Sequence, residues 1–362
     1  QKDGILFKMR RTQDLPDKES ATMFFQDCKL AHQAQITGIS HSVKEILPPD
    51  LLDLTQLQKE ANIRYGFTAS EVYNIAQSLY EKKLISYPRT SSRYLTEDVF
   101  DSLSPIMARL LSWELFPATK GTGGIDISGL SRHVISAEKA NVHHAIIITG
   151  IRPGNLSEKE MQVYRLVAGR MLETFMAPCR IETTNVEAVC AAQHFKAEQT
   201  RIIEAGWHDV FMRSDMVPKS GYSVNELPEV EKSDTLNVCG CNMVHKKQLP
   251  VNPFTDAELV EYMEQNGLGT VSSRTNIIRT LVNRKYIRYS GKYIVPTPKG
   301  MFTYETIRGK KIADTSLTAD WEKQLAGLES GMITGQDFLN RIRTLAKEMT
   351  DDIFNTYSTK EE

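Results

Sequence analysis

Residues 68–87 read TASEVYNIAQSLYEKKLISY and predict a helix followed by a short strand. Thr68 and Glu71 form a capping box, in which the two side chains satisfy exposed backbone N–H groups at the helix start. Apolar residues then recur with the spacing of one helix face, namely Val72, Ile75, Ala76 and Leu79. Leu84–Tyr87 has the pattern of a strand, and Pro88 ends it.

The same pattern returns 202 residues later in the chain. The residues that match at this spacing include Ile75 and Ile277, Leu79 and Leu281, Lys83 and Lys285, Ile85 and Ile287, and Tyr87 and Tyr289. Each copy predicts helix, glycine, helix, basic residue and a strand that ends in tyrosine. A helix–turn–helix followed by a strand or hairpin is a winged-helix pattern, which commonly binds nucleic acid. The alternative is a chance match between two ordinary helical hairpins.

As a whole, the chain divides into β-rich and helical parts. Residues 1–46 and 180–240 carry strand patterns, and Leu47-Pro48-Pro49 breaks the first of them. Residues 156–176 predict a long helix, and helical patterns resume at about residue 252. We therefore predict a multidomain α+β fold with two mainly helical, winged-helix-like domains. Its boundaries are a split β-rich domain over 1–52 and 179–250, a domain carrying Tyr87 over 53–178, and a helical domain over 251–362.

The composition is that of an ordinary globular protein. The 362 residues are 41% hydrophobic and 25% charged, with a net charge of -1, which excludes a strongly basic protein as a whole. No apolar run approaches the roughly 20 residues that span a bilayer, so we expect no membrane association. Five cysteines and no signal peptide favour a cytoplasmic protein. Cys239, Cys241 and His245 lack a second cysteine pair at zinc-finger spacing, so we predict no metal site in this chain.

Basic residues are concentrated in the second copy. Between Gly267 and Lys311 there are ten lysines and arginines and a single acid, Glu305. Phosphates are the natural partners of such a segment, and binding to them weakens with salt. A solvated surface without a ligand is the alternative.

Residues 84–94, LISYPRTSSRY, place a tyrosine beside two arginines. A phenol has a pKa near 10, so a nucleophilic Tyr87 needs a cation or a base nearby. Arg89 can hold a phosphate in a bidentate manner. However, Tyr289 occupies the equivalent place in the repeat, so both tyrosines can be structural. His143 and His144, which we expect on a strand, can donate to a phosphate or move a proton, or else be ordinary satisfied histidines.

The segment around Tyr87 also resembles that of a known enzyme family. Tyr87–Leu95 (YPRTSSRYL) resembles the active-site segment of type IA DNA topoisomerases, in particular the bacterial DNA topoisomerase III branch. Further segments resemble that family in the same order along the chain: residues 54–79, HHAII at 143–147, GW at 206–207, GLGTVSSR at 267–274, RKYI at 284–287, PTPKG at 296–300 and LTADWE at 317–322. The resemblance covers nearly the whole chain.

The resemblance implies a mechanism and a site. Tyr87 would attack a phosphodiester of single-stranded DNA and stay joined to the 5′ phosphate, Arg89 would hold that phosphate, and His143 would assist. The residues expected to contact the strand are Arg93, His144, Ser272, Ser273, Arg274 and Arg284. A second strand would pass through the gap before resealing, without ATP. The implied partners are single-stranded and underwound duplex DNA, bound by a monomer in the nucleoid, and the β-rich domain would be a hinge.

Two departures from the family qualify these expectations. Ser91 stands where the family usually has Asp, which removes a carboxylate from the site. The family's Mg²⁺-binding TOPRIM domain, with its acidic cluster, has no counterpart in this sequence, which begins at Gln1. We therefore expect a fragment that binds single-stranded DNA but does not cleave it efficiently, with the Mg²⁺ ligands outside the chain. The main alternative is a non-enzymatic regulator with two winged helices. A relaxase or tyrosine recombinase is disfavoured because the expected His-x-His or Arg/His set is absent.

Overall fold

The structure is a computed structural model that describes residues 1–113, 115–116, 130–140, 143–211, 219–244 and 252–358. Its strands and helices are, in chain order, β1 (Arg10–Arg11), α1 (Lys18–Leu30), β2 (Gln33–Ile46), α2 (Leu54–Tyr65), α3 (Ala69–Glu81), α4 (Glu97–Asp101), α5 (Leu103–Ser112), α6 (Ala137–Ala140), α7 (Glu158–Phe175), β3 (Cys179–Cys190), β4 (Gln193–Glu204), β5 (Thr235–Asn237), α8 (Asp256–Gln265), α9 (Arg274–Asn283), β6 (Ile287–Ser290), β7 (Tyr293–Pro296), α10 (Pro298–Ile307), α11 (Thr315–Glu329) and α12 (Gly335–Ser358). The α+β class is therefore confirmed.

The chain forms two compact units. The first comprises Gln1–Pro49, Glu114–Leu130 and Leu172–Pro250, and the second comprises Asp50–Trp113, Ser131–Met171 and Val251–Glu362. The two predicted β-rich segments thus belong to one unit, and both copies of the repeat belong to the other. The division into three domains stays a prediction.

The first unit is built on a five-stranded antiparallel sheet in the order β1-β4-β3-β2-β5. Strand β3 lies at its centre and pairs along its length with β2 and β4. Alternate residues of the central strands point into one apolar core, which contains Ile36, Val186 and Ala188. α1 contributes the buried Cys28 to the same core.

Trp207 closes a second, smaller core beside this sheet. Its indole is 1% exposed, packs with Cys179 and Ile181, and donates from Nε1 to the Ile46 carbonyl at 2.9 Å. Gly206 immediately precedes it with φ at +52°, and a Cβ there would lie 2.4 Å from the carbonyl oxygens of Ala177 and Pro178. The Gly206-Trp207 pair is therefore required by backbone geometry as well as by burial.

In the second unit, the two copies of the repeat share an unusual backbone turn. Lys83 and Lys285 both adopt left-handed conformations, with φ at 59° and 62°. In each copy the N–H of the next residue donates to the carbonyl five residues before it. Leu84 donates to Leu79 and Tyr286 donates to Leu281, both at 2.9 Å. Left-handed non-glycine residues are uncommon, so this shared helix ending supports a true repeat over a chance match.

The copies differ in where the partner of the last strand comes from. In the second copy, β6 and β7 form a hairpin across Gly291. In the first copy the predicted strand is reduced to a single bridge, in which Ile85 pairs with Ile148. Thr149 donates from Oγ1 to the Lys83 carbonyl at 2.6 Å, as Thr297 does to the Lys285 carbonyl. In the first copy, the two paired residues Ile85 and Ile148 are therefore joined by a long segment that includes α4, α5 and α6, where the second copy has a tight turn.

The copies also contact each other through buried polar groups. Gln58 donates from Nε2 to the Ala69 carbonyl and to the Thr275 hydroxyl, both at 3.0 Å. The buried Asp256 carboxylate, at the start of α8, accepts from the Ala69 N–H and from the Tyr289 hydroxyl. One carboxylate of the second copy thus satisfies the first N–H of α3, the helix that leads to Tyr87.

This arrangement predicts how stability changes with pH. Burial raises the pKa of Asp256, so the folded state binds its proton more tightly than the unfolded state does. The stability that this group contributes is complete below its unfolded pKa, near 3.9, and is lost as pH rises through the folded value. Asp256→Asn keeps a hydrogen-bonding group without the charge. We therefore expect urea unfolding to show the variant gaining stability relative to the natural chain between pH 4.5 and pH 7.5.

Asp256→Ala is the matched variant that removes both hydrogen bonds. It leaves the Ala69 N–H and the Tyr289 hydroxyl without their partner, and we expect a loss of about 2 kcal/mol of unfolding free energy at pH 7. A stability difference between the Asn variant and the natural chain that does not change with pH would contradict the role given to the Asp256 charge.

Candidate active site

Tyr87 lies two residues after Ile85, which forms the single bridge of the first copy. Its ring packs against that of His143, with centroids 4.4 Å apart, and meets the edge of Tyr80 at 5.4 Å. Within the described ranges its hydroxyl has no hydrogen-bond partner. By contrast, Tyr289 donates its hydroxyl to Asp256 Oδ1 at 2.9 Å, and burial raises the pKa of its phenol. Within the described part of the chain, the two equivalent tyrosines therefore differ, because the Tyr289 hydroxyl is hydrogen-bonded and the Tyr87 hydroxyl is not.

The segment that follows His143 is held beside Tyr87 because it is hydrogen-bonded to Ser86, the residue before Tyr87. Ser86 donates its N–H to the Ile147 carbonyl at 2.8 Å and its hydroxyl to the Ala145 carbonyl at 3.1 Å. Ile146 forms an isolated antiparallel bridge with Leu52. Residues 145–148 are buried, so this segment is a fixed support rather than a surface loop.

The two histidines themselves occupy different environments. The expectation that they lie on a strand is wrong, because bridging begins only at Ile146. The His143 side chain is exposed, while its carbonyl accepts from Thr90 Oγ1 at 3.0 Å. His144 is half-buried and its Nδ1 lies 2.7 Å from the Ala145 carbonyl. A carbonyl only accepts, so the proton of His144 sits on Nδ1 and Nε2 is left as the other ring site.

Arg89 is held by two side chains of α3. Its Nη2 donates to Gln77 Oε1 at 3.2 Å, and its guanidinium lies 5.1 Å from the centre of the Tyr73 ring. Its Nε is buried and has no hydrogen-bond partner among the described residues. Arg89 therefore carries a charge that no carboxylate in the described chain pairs.

Arg93 is in a different state, because a buried carboxylate holds it. Its Nε donates to Asp53 Oδ2 at 2.7 Å, and Asp53 is 2% exposed. Burial raises the pKa of Asp53, while hydrogen bonds from the Gln56 N–H and from Arg93 oppose that rise. Ser91, the residue that replaces the family's usual Asp, is exposed.

The predicted contact residues of the second copy are only partly brought together. Ser272 and Ser273 are half-buried, and Arg274 is 8% exposed with Nη1 donating to Glu264 Oε1 at 3.1 Å. Arg284 is exposed at the opposite end of α9, so ten residues of helix, about 15 Å, separate it from Arg274. Glu264 also accepts from the Thr55 hydroxyl of the first copy at 3.2 Å.

Several residues of the site were not singled out from the sequence. Gln77 and Tyr73 are four residues apart on α3, so they share one helix face beside the apolar stripe. That spacing was a usable signal for a pair that faces one ligand or side chain. Asp53 and Glu264 carried no such signal, because their partners lie 40 and 10 residues away on other elements.

In the described part of the chain, no group of three or more His, Cys, Asp or Glu side chains is arranged to hold a metal ion. The described residues thus do not fit a Mg²⁺ site. His245 of the rejected zinc set lies outside the described residues. No described helix is both long and apolar enough to cross a bilayer.

The sequence matches the DNA topoisomerase family over residues 2–340. The chain belongs to the type IA DNA topoisomerase family. The resemblance seen in the sequence is thereby confirmed. The sequence is 31% identical over 344 residues to DNA topoisomerase 3 of Bacillus licheniformis, and 30% identical over 355 residues to that of Bacillus subtilis. These alignments cover 88% and 90% of the chain but 47% and 48% of the relatives, so the chain spans about half their length.

A solved topoisomerase structure has the same fold. Full-length topoisomerase I from Thermotoga maritima superposes with a TM-score of 0.72 over 94% of this chain and 56% of that one, at 23% sequence identity. This chain and the Thermotoga protein therefore share a fold over most of this chain.

Proposed function

We propose that this chain supplies the tyrosine nucleophile and part of the single-strand-binding surface of a type IA DNA topoisomerase. The observation that carries the proposal is the contrast between the two equivalent tyrosines. Tyr87 has an unengaged hydroxyl, a histidine ring against its own ring and Arg89 two residues away, whereas Tyr289 is bonded to Asp256. The curated relatives named DNA topoisomerase 3 support the same reading.

In the proposed reaction, the Tyr87 oxygen attacks the phosphorus of a single-stranded phosphodiester. A bond forms between that oxygen and phosphorus, the bond from phosphorus to the 3′ oxygen breaks, and the 5′ phosphate stays on the protein. The phenol gives up its proton and the departing 3′ oxygen takes one up, and we propose that His143, whose ring packs against that of Tyr87, assists both transfers. Resealing reverses these steps after a second strand has passed. No ATP is needed because the phosphotyrosine bond replaces the broken one.

Arg89 and the other cations would hold the strand during these steps. Arg89 is suited to the scissile phosphate because its charge is not paired by a carboxylate. Arg93 uses one N–H on a carboxylate and keeps others for phosphate oxygens, whereas Arg274 is 8% exposed and would have to be uncovered before its other N–H groups reach a phosphate. His144, Ser272, Ser273 and Arg284 complete the proposed contacts. Each copy would act as a winged helix, with α9 and the β6–β7 hairpin as the second one.

The remaining features of the whole protein belong to the same proposal. We propose that the Mg²⁺ ligands lie outside this chain, that the isolated chain binds but does not cleave efficiently, and that the split sheet domain acts as a hinge. A monomer bound to single-stranded or underwound DNA in the bacterial nucleoid is the expected setting. These points rest on the family and on the half-length coverage of its relatives.

The first test is binding of labelled single-stranded and duplex oligonucleotides of mixed sequence to the 362-residue chain. We expect fluorescence anisotropy to show tighter binding to the single strand than to the duplex. The affinity should fall as the salt concentration rises from about 50 to about 200 mM, because phosphate contacts release counterions. Binding only to duplex, and to one sequence far better than others, would favour the regulator with two winged helices and leave Tyr87 a structural residue.

A further inference from the structure

We infer that Tyr73 and Gln77 are positioning residues that aim the Arg89 guanidinium at the phosphate without neutralising its charge. This inference rests on the proposed function, because it names the residues that prepare Arg89 for that phosphate. Both side chains belong to α3, whose buried residues Val72, Ala76 and Leu79 fix the helix in the unit.

The two contacts restrain different parts of the guanidinium. Gln77 accepts from Nη2 at 3.2 Å and fixes one edge, while the Tyr73 ring lies 5.1 Å from the guanidinium carbon and restrains its face. Nε is buried and has no hydrogen bond in the described chain. The amide of Gln77 thus supplies the one hydrogen bond that the described residues give to this guanidinium, so its loss frees the side chain to rotate.

The chemical type of these neighbours separates Arg89 from the other arginines. Arg93 and Arg274 are held by the carboxylates of Asp53 and Glu264, which offset their charge. An amide oxygen and an aromatic ring orient a guanidinium through dipole and quadrupole and leave its full positive charge in place. A phosphate arriving at Arg89 therefore meets an oriented cation that no carboxylate of the described residues pairs.

The repeat shows that this arrangement is not a general requirement of the fold. At the 202-residue spacing, Tyr73 corresponds to Thr275 and Gln77 to Arg279. Thr275 bonds to Gln58, and Arg279 donates to Asn276, so neither performs the same task. Arg89 itself corresponds to Gly291. Only the copy with the unengaged tyrosine carries the arginine and its two holders.

The test measures affinity of the 362-residue chain for a single-stranded oligonucleotide across a series of salt concentrations. Arg89→Ala should weaken binding and reduce the salt slope by about 0.7, the value for one phosphate contact on a single strand. Gln77→Ala and Tyr73→Leu should each weaken binding by about fivefold, the size of one hydrogen bond or cation–π contact. Tyr73→Phe keeps the ring and should bind like the natural chain.

Gln77→Glu is the sharpest variant, because it keeps an acceptor for Nη2 but adds a carboxylate that pairs the Arg89 charge. We expect it to lose the phosphate contact as Arg89→Ala does, and to have little further effect when combined with Arg89→Ala. An equal loss from Gln77→Glu with and without Arg89 would show general repulsion of DNA and overturn the inference. Natural affinity in Gln77→Ala and Tyr73→Leu, alongside a loss in Arg89→Ala, would also overturn it while leaving the proposed function intact.

A different result would reach further. If Arg89→Ala itself binds single strands with the natural affinity and slope, both the inference and the role of Arg89 in the proposed function are wrong. Thermal unfolding of each variant separates these outcomes from misfolding, since Gln77 and Tyr73 are half-buried and their conservative variants should melt with the natural chain.

Discussion

Tyr87→Phe is expected to abolish the covalent link between protein and DNA while leaving single-strand affinity nearly unchanged. The phenol oxygen is the attacking atom in the proposed reaction, and phenylalanine has no atom that can replace it. The ring contacts to His143 and Tyr80 need no hydroxyl, so packing at the site should persist. Since the hydroxyl has no partner among the described residues, its removal also leaves no buried group unsatisfied.

The measurement uses the chain combined with the part of a DNA topoisomerase 3 relative that lies outside the matched half, where we propose the Mg²⁺ ligands to lie, together with Mg²⁺ and a single-stranded oligonucleotide. A label at the 3′ end should migrate with the protein on a denaturing gel, because the tyrosine keeps the 5′ phosphate side of the break. A label at the 5′ end should not. An adduct that carries the 3′ label in the Tyr87→Phe protein would contradict the assignment of the nucleophile.

Two tyrosine variants serve as matched controls for this experiment. Tyr80→Phe changes the neighbouring ring, whose hydroxyl is likewise without a partner in the described chain, and should keep the adduct. Tyr289→Phe removes the equivalent hydroxyl of the second copy. It should lower stability through Asp256 but still form the adduct.

Gly206→Ala is expected to destabilise the sheet unit by about 3 kcal/mol or more. An added Cβ would lie 2.4 Å from two backbone oxygens, and the positive φ is unfavourable for any side chain. Relief requires the chain at Ala177 and Pro178 to move, which would also disturb Trp207, because the Trp207 N–H donates to the Ala177 carbonyl. Urea unfolding followed by tryptophan fluorescence measures the change.

Gly240→Ala is the control in the same unit. A Cβ at Gly240 meets no atom within 4 Å and its φ is not positive, so we expect almost no change in unfolding free energy. Equal stability of the Gly206 and Gly240 variants would show that the close approach at Gly206 is not rigid.

Local features of the fold could be predicted from the sequence because they depend on neighbours along the chain. The capping box at Thr68 and Glu71 begins α3 as expected, and a long helix predicted over 156–176 is α7, Glu158–Phe175. The strand patterns of 1–46 and 180–240 became one sheet, because alternation of apolar residues specifies a half-buried strand wherever its partner lies.

The residues of the candidate site likewise fall into those that the sequence could indicate and those that it could not. Tyr87 and Arg89 could be singled out because they are two residues apart, and the chemistry of a phenol requires a nearby cation. The holders of Arg89 could have been found from their spacing on α3. The pairing of Arg93 with Asp53 and of Arg274 with Glu264 could not, since a free arginine and a paired one look the same in a sequence.

By itself, then, the sequence determined the family, α3 with its capping box, the long helix α7, the β-rich segments and the two copies of one helix–turn–strand unit. The tertiary structure alone decided how those copies differ. Ile85 pairs with Ile148 across 63 residues, whereas the second copy closes a tight hairpin, and this distant pairing carries His143 to Tyr87. Tyr289 is engaged by Asp256 across 33 residues. Such contacts are fixed by how whole elements pack, and local periodicity contains no information about them.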